Sequence, residues 1–345
     1  MPTVDEAARR APPGPPPPVV ILRMLTGRWV CNAVCAAARF RLADHLSARA
    51  RTCAELAPEI GAHASSLYRL LRALASLGLF TEDAQGRFAT TPLGEWLRSD
   101  VTGSMYGMAR FFGSEEHGAA WNALPYAVAS GEPAFEHVYG RSAWQYLDED
   151  AELNAIFSLA MRSLASNAAG ELAAHLALGV GTTVCDVGGA DGTLLAALLE
   201  YNPGVRGILY ERPAAIAEAR RAELPALRGR CDLVEGDFLE RVPSADVIVL
   251  SRVLHDWPDA DAERILANCR AALPPHGRIA IYDAVIEPGD APDFGKLLDL
   301  EMLVITTGGR ERTRADFEHL FARTGLRLSG ITPLSAGAIV EAVSA

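Results

Sequence analysis

Leu254-His255-Asp256-Trp257 closes an apolar run in this 345-residue chain. Histidine titrates near neutrality, which makes His255 a suitable general base for a phenol, and a carboxylate near it would orient the ring or stabilise its charged form. Adjacent residues do not automatically face each other, so Asp256 need not be the partner of His255. Further upstream, Asp186-Val187-Gly188-Gly189-Ala190-Asp191-Gly192 follows an apolar stretch and opens a helical segment over Thr193–Glu200. Glycines let the backbone turn tightly and come close to a ligand, and the helix N-terminus favours a polar or anionic group. Tyr210-Glu211 ends the next apolar stretch, nineteen residues beyond Gly192. An acid at that distance suits a ribose diol, accepting both hydroxyl hydrogens. NAD-type and adenosyl-type cofactors both fit to this point, although D-x-G-x-A-x-G in place of G-x-G-x-x-G speaks against a dinucleotide. Gly236-Asp237-Phe238 adds a carboxylate that can accept from an adenine amino group and a ring that can pack on the base. For that tripeptide by itself, an Asp capping a turn is the better reading.

These residues need elements that bring them to one edge. Short β-rich segments are predicted at Val184–Val187, Gly207–Tyr210, Asp232–Glu235, Asp246–Leu250 and Ile279–Tyr282, with two more near Leu326–Ile331 and Ala338–Val343. Those up to Leu250 read mostly as unbroken apolar runs, as in a sheet covered on both faces. Helical stretches intervene, such as Ala262–Leu273 with Ile265, Leu266, Cys269 and Leu273 on one side. The fold class is therefore α/β, a doubly wound sheet whose carboxyl edge gathers the glycine loop, Glu211, Asp237 and His255. Ahead of it, Leu67, Leu70, Leu71, Leu74 and Leu77 form a helical stripe, with Ser65 and Ser66 as caps and Gly78 as the stop. A hairpin follows from Leu79 to Ala89, giving a winged-helix outline. Trp96 to Gly179 continues helical and is dense in aromatic residues.

Composition excludes several classes. Half of the residues are hydrophobic and 22% are charged, which suits a chain of about two domains. The formal net charge of -11 repels a nucleic-acid backbone or an anionic membrane. No uninterrupted apolar run approaches the ~18–20 residues that cross a bilayer, and no export signal is read at the N-terminus. Six cysteines without a C-x-x-C pair fit reduced thiols in a cytoplasm, with Cys31 and Cys35 read as small core residues. Ala11 to Pro18 reads as a disordered or polyproline arm. The remaining histidines are scattered, and no metal site is expected.

Taken together, these motifs resemble the small-molecule O-methyltransferases that use S-adenosylmethionine, a group shared by plant phenolic enzymes and bacterial natural-product tailoring enzymes. The resemblance covers nearly the whole chain after the proline arm. It rests on DVGGADG, YERP, GDF and LHDW, and downstream on Ile281-Tyr282-Asp283 and Gly308-Gly309-Arg310-Glu311-Arg312-Thr313. It implies a Rossmann-like seven-stranded sheet over 181–345, a helical linker and substrate-pocket region over 101–180, a winged-helix-like dimerisation domain over 19–100, and the arm at 1–18.

Residue by residue, the resemblance makes His255 the base that removes the acceptor's hydroxyl proton, with Asp283 and Glu311 flanking the imidazole. It assigns Asp186, Gly188, Glu211, Asp237, Phe238, Ser251 and Arg252 to the cofactor. Met161 and Met302 fall where thioethers clamp an aromatic acceptor. The implied protein is a cytoplasmic homodimer that methylates a phenolic or quinoid hydroxyl of a small aromatic in antibiotic biosynthesis, releasing S-adenosylhomocysteine without a metal. The alternative is a methyltransferase-like protein that uses the cofactor for hydroxylation, decarboxylation or pericyclic chemistry. The sequence departs from the family pattern at Ala190, where glycine is usual, at Glu211, where aspartate is commoner, at Ser251, where plant members carry lysine, and at Asp283, where they carry glutamate.

Overall fold

The structure, a computed structural model, describes residues 15–222 and 224–345. The chain divides into two compact units, one ending at Arg98 and the other spanning Ser99–Ala345. Most of the arm expected over 1–18 lies outside the described residues. Pro17 and Pro18 open a helix instead, because proline's missing N–H is an orphan in the first turn anyway.

The first unit runs α1 (Pro17–Arg39), α2 (Leu42–Ser47), β1 (Arg51–Thr52), α3 (Cys53–Ile60), α4 (Ala64–Ser76), β2 (Phe80–Glu82) and β3 (Arg87–Thr90). The strands pair antiparallel in the order β1-β3-β2, so the predicted hairpin forms and gains a third, short strand. On α4, Leu67, Leu71 and Leu74 are buried, but Leu77 lies past the last turn and is exposed. Ser65 and Ser66 fall inside that helix, and His63 occupies the cap position. Two expectations fail on α1. By length and composition it is a helix that could cross a membrane, which a search for unbroken runs misses because Arg23 and Arg28 interrupt the apolar residues. Of the cysteine pair, Cys35 is buried whereas Cys31 is exposed.

In the second unit, six helices precede the sheet: α5 (Tyr106–Phe112), α6 (Glu115–Asn122), α7 (Leu124–Ser130), α8 (Ala134–Tyr139), α9 (Ala143–Glu149) and α10 (Ala151–His175). Then follow β4 (Thr183–Val187), α11 (Thr193–Tyr201), β5 (Arg206–Glu211), α12 (Pro213–Ala222), β6 (Cys231–Glu235), β7 (Val247–Ser251), α13 (Asp259–Ala272), β8 (Arg278–Asp283), α14 (Gly295–Ile305), α15 (Arg314–Thr324), β9 (Leu326–Leu334) and β10 (Gly337–Ser344). The seven strands lie in the order β6-β5-β4-β7-β8-β10-β9. The first five run parallel, while β10 enters antiparallel to both β8 and β9.

Alternate side chains of each strand serve two cores, which explains the unbroken apolar runs. Val184, Leu209 and Val249 pack with Leu172, Leu195 and Ile216 on one face. Cys185, Ile248 and Ile281 pack with Ile265, Leu266 and Phe317 on the other. Because the strand order reverses beside β4, the carboxyl ends of β4, β5 and β7 open onto one crevice, the usual ligand position in such sheets.

Candidate active site

The glycine loop leaves β4 and enters α11 through Gly188 and Gly192, both with positive φ. Ala190 also adopts a positive φ of 49°, a conformation that disfavours any Cβ by roughly 1–2 kcal/mol. The substitution of glycine at this position is therefore accommodated at the expense of local strain. A Cβ at Gly189 would collide with the Asp186 carboxylate, so that acid lies directly under the loop. Asp186 is fully buried, and neither carboxylate oxygen has a hydrogen-bond partner among the described residues. Burial above all, then Glu211 and Asp191, pushes its pKa up to about 7. An acid left so exposed to its own desolvation calls for a ligand donor.

Glu211 ends β5 and accepts from the backbone N–H of Arg212; burial raises its pKa, and that hydrogen bond partly offsets the rise. Asp237 follows β6 and accepts from Leu239 N at 2.8 Å with one oxygen, so it does cap a turn while leaving the other oxygen available. Phe238 stands edge-on to Trp257 at 5.7 Å and close to Gly188, which brings the third motif against the loop. Arg162, on α10, donates to Asp191 and thereby braces the loop. Its distance in sequence from every motif hides it from a sequence reading.

His255 occupies a 3-10 turn (Leu254–Asp256) directly after β7 and is buried. Its Nδ1 lies 2.7 Å from Glu311 Oε1. With Nδ1–H donating there, the tautomer leaves a lone pair on Nε2. Asp283, at the end of β8, makes no hydrogen bond to the ring, and its two oxygens are unpartnered among the described residues. It acts on His255 through its charge alone. Asp256, which the sequence left open as a partner, places Oδ1 3.7 Å from Nε2, on the side opposite Glu311. Burial lowers the imidazole's pKa, but Asp256, Asp283 and Glu311 outweigh it and hold the value up at about 9. Burial raises Asp283 to about 7 and Asp256 to about 6, against the pull of His255 in both cases.

Arg312 fixes this arrangement from below. It is 1% exposed and donates to the carbonyls of Leu254 at 2.7 Å and Trp257 at 2.9 Å, and to Asp259 at 2.9 Å. The segment after α14 passes so close that a Cβ at Gly309 would strike the His255 carbonyl. Asp299 accepts from Glu311 N at 2.8 Å and completes the seat of that carboxylate.

His255 and Asp256 line a cavity together with Met161 and Met302, the two expected clamp residues. Phe111, Phe112, Trp144 and Phe157 supply aromatic walls. Arg252 lines it as well, stacked over Tyr282 at 5.2 Å and donating to Ala336 O at 3.1 Å. Its backbone φ of 54° turns the chain sharply after Ser251 at the end of β7.

A nucleotide-type crevice beside a buried histidine and an aromatic-lined cavity fits a cofactor-dependent enzyme acting on an aromatic, and sequence similarity makes that enzyme a methyltransferase. The chain belongs to the O-methyltransferase family: the family model for the O-methyltransferase domain matches residues 121–327, and that for the O-methyltransferase dimerisation domain matches residues 22–100. The chain is 39% identical to the phenazine O-methyltransferase PhzM of Lysobacter antibioticus, over 93% of this chain and 95% of that one. It is 34% identical to phenazine-1-carboxylate N-methyltransferase of Pseudomonas aeruginosa, over 91% and 93%. Among solved structures it matches the O-methyltransferase NcsB1 of neocarzinostatin biosynthesis, in complex with S-adenosylmethionine and 2-hydroxy-5-methyl naphthoic acid. That match has a TM-score of 0.76 and 35% identity, covering 92% of this chain and 96% of that one. The residues at the crevice fit S-adenosylmethionine: an unpartnered buried acid under a glycine loop, an acid at the end of β5, and an acid with a ring at the end of β6.

Proposed function

We propose that this O-methyltransferase transfers the methyl group of S-adenosylmethionine to a phenolic or quinoid hydroxyl of a small aromatic intermediate, with His255 as the general base. One observation carries the reading: a buried histidine on the wall of an aromatic-lined cavity, with its far nitrogen 2.7 Å from a buried carboxylate. The cofactor supplies a methyl already activated on a sulfonium. Asp186, Gly188 and Glu211 hold it at the crevice, Asp237 and Phe238 take its base, and Ser251 and Arg252 flank it. Met161 and Met302 grip the acceptor ring.

His255 Nε2 takes the hydroxyl proton as the oxygen attacks, and Glu311 stabilises the imidazolium through Nδ1–H. Asp283 and Asp256 add charge stabilisation. A phenol releases its proton near pKa 10, and His255 is held at about 9, so the transfer is close to balanced. Positioning does the rest, since oxygen, methyl carbon and sulfur must lie in line.

Mass spectrometry of reactions with the cofactor and a panel of catechols, hydroxyquinones and hydroxynaphthoic acids tests the reading. The expected product is 14 Da heavier than the acceptor, matched by S-adenosylhomocysteine, and reduced about 10²–10⁴-fold in His255→Ala. A methylated amine would move the reaction to nitrogen, and an altered but unmethylated acceptor would point to repurposed chemistry.

The working unit is a cytoplasmic homodimer. Leu22, Met24, Leu25 and Trp29, with Ile21 just ahead of them, leave an apolar face of α1 exposed at the start of the segment matched by the dimerisation model. A patch of that kind marks an interface. Light scattering without detergent gives twice the chain mass at micromolar concentration; a monomer, or a need for detergent, would defeat this.

A further inference from the structure

Glu301, on α14, carries a polar arrangement that the methyl-transfer chemistry does not use. Its carboxylate accepts from His117 Nε2, on α6, at 3.1 Å, and from Trp121 Nε1 on the same helix. Glu301 and His117 both line the acceptor cavity. A carboxylate offers about four acceptor positions, of which the two protein donors take two. His117, having committed Nε2–H to Glu301, leaves Nδ1 as an acceptor without a partner among the described residues. Phe111 at 5.2 Å and Phe112 at 4.8 Å pack against the imidazole and limit its movement, and the His117 and Trp121 hydrogen bonds hold the carboxylate. The surroundings are apolar, which makes an unfilled acceptor here costly and a ligand donor correspondingly valuable.

Charge decides which kind of group belongs there. Glu116, Glu301 and Asp256 line the cavity; its cationic side chains are Arg252, whose Nη2 donates to a backbone carbonyl, and His255, whose charge Glu311 and Asp256 offset. An anionic substituent beside Glu301 would be repelled. A hydroxyl or amino hydrogen would be received.

We infer that Glu301 and His117 form a second recognition point in the acceptor cavity, specific for a flat aromatic that carries a ring hydroxyl or ring amino group besides the one that is methylated. This deepens the proposed function and rests on the cavity being the acceptor site. Neither residue touches the proton in flight, so both act on selection rather than on the methyl-transfer step.

Binding tests the inference separately from turnover. Calorimetry on the full-length protein saturated with S-adenosylhomocysteine would compare dihydroxynaphthalenes and aminonaphthols with their monomethyl ethers or N,N-dimethyl counterparts, which keep the heteroatom and lose the donor. The best donor-bearing ring binds about 10- to 100-fold tighter than its capped counterpart, and the same ratio persists in His255→Ala. In Glu301→Leu and in His117→Phe the ratio falls to within about threefold. Glu301→Gln keeps the side-chain length where the leucine variant fails to fold, and lowers the ratio several-fold. A ratio near one in the wild type across the panel overturns the inference. So does a ratio that survives in the Glu301 and His117 variants, which would leave the cluster as a tie between α6 and α14. Absence of methylated product with the ratio intact would instead count against the methyl-transfer reading.

Discussion

The crevice at the ends of β4, β5 and β6 and the cavity among α5, α6, α10 and α14 meet in one unit but are built on different principles. The crevice is made of strand ends and the turns that follow them. Its ligand groups come from short, contiguous motifs, and its largest tension is electrostatic, an unpartnered acid under a glycine loop. The cavity is made of helix faces, and its polar groups come from positions as far apart as His117 and Glu301. Its tension is one of shape and of a few acceptors set in apolar walls. A site assembled from local turns binds one constant ligand, whereas a site assembled from distant helix faces can be altered one wall at a time.

His255 stands where the two regions meet, and its loss carries the largest expected effect: turnover falls by about 10²–10⁴-fold while affinity for S-adenosylmethionine stays nearly unchanged. A matched loss of cofactor affinity would erase the division between crevice and cavity.

Asp186→Asn reports on the crevice. Cofactor binding measured by calorimetry weakens by about 10- to 100-fold, because a charged acceptor is lost. Stability moves the other way. The folded pKa of Asp186, at about 7, lies above its ordinary 3.8, so its ionised form costs the fold nothing below pH 4 and the full amount above pH 7. The ligand-free variant therefore melts higher than wild type at pH 8, and the gap narrows at pH 5. An unchanged melting temperature at both pH values would remove Asp186 as the crevice's strained element.

Glu311→Gln has the smallest effect of the three. The free His255 must lose its proton before it can act as a base, so kcat/KM at saturating cofactor rises with pH toward about 9. Removing the Glu311 charge lowers the imidazole pKa and moves that limb to lower pH. The plateau falls by about tenfold, as the imidazolium loses its carboxylate. A limb that does not move would assign the raised pKa to Asp256 and Asp283 instead.

The same contrast explains what could be read from the residues alone. In a parallel sheet each strand end follows its own sequence, so DVGGADG, Glu211, Asp237 and His255 announce themselves in chain order and converge by topology. GGRERT was legible through resemblance, because nothing local ties Glu311 to His255, 56 positions earlier. His117, Trp121 and Glu301 had no such signal: each sits on an ordinary helix, and only packing brings α6 to α14. Arg162 and Arg312 look like surface cations until their partners are known. Asp256 was left open because neighbours in sequence need not face each other; the tight 3-10 turn brings its carboxylate to within 3.7 Å of Nε2. On α1, counting unbroken apolar residues missed a membrane-length helix whose arginines interrupt the count without changing its overall character.

The buried guanidinium of Arg312 has a consequence for how such a protein changes over generations. It joins both sides of the His255 turn to the start of α13; α6 stays outside that web, and α14 reaches it through Asp299, which seats Glu311. Substitutions on α6, or on α14 away from Asp299, can therefore alter the cavity wall without disturbing the proton-accepting nitrogen. The acceptor a scaffold of this kind takes can thus change while the proton-accepting histidine keeps its seat.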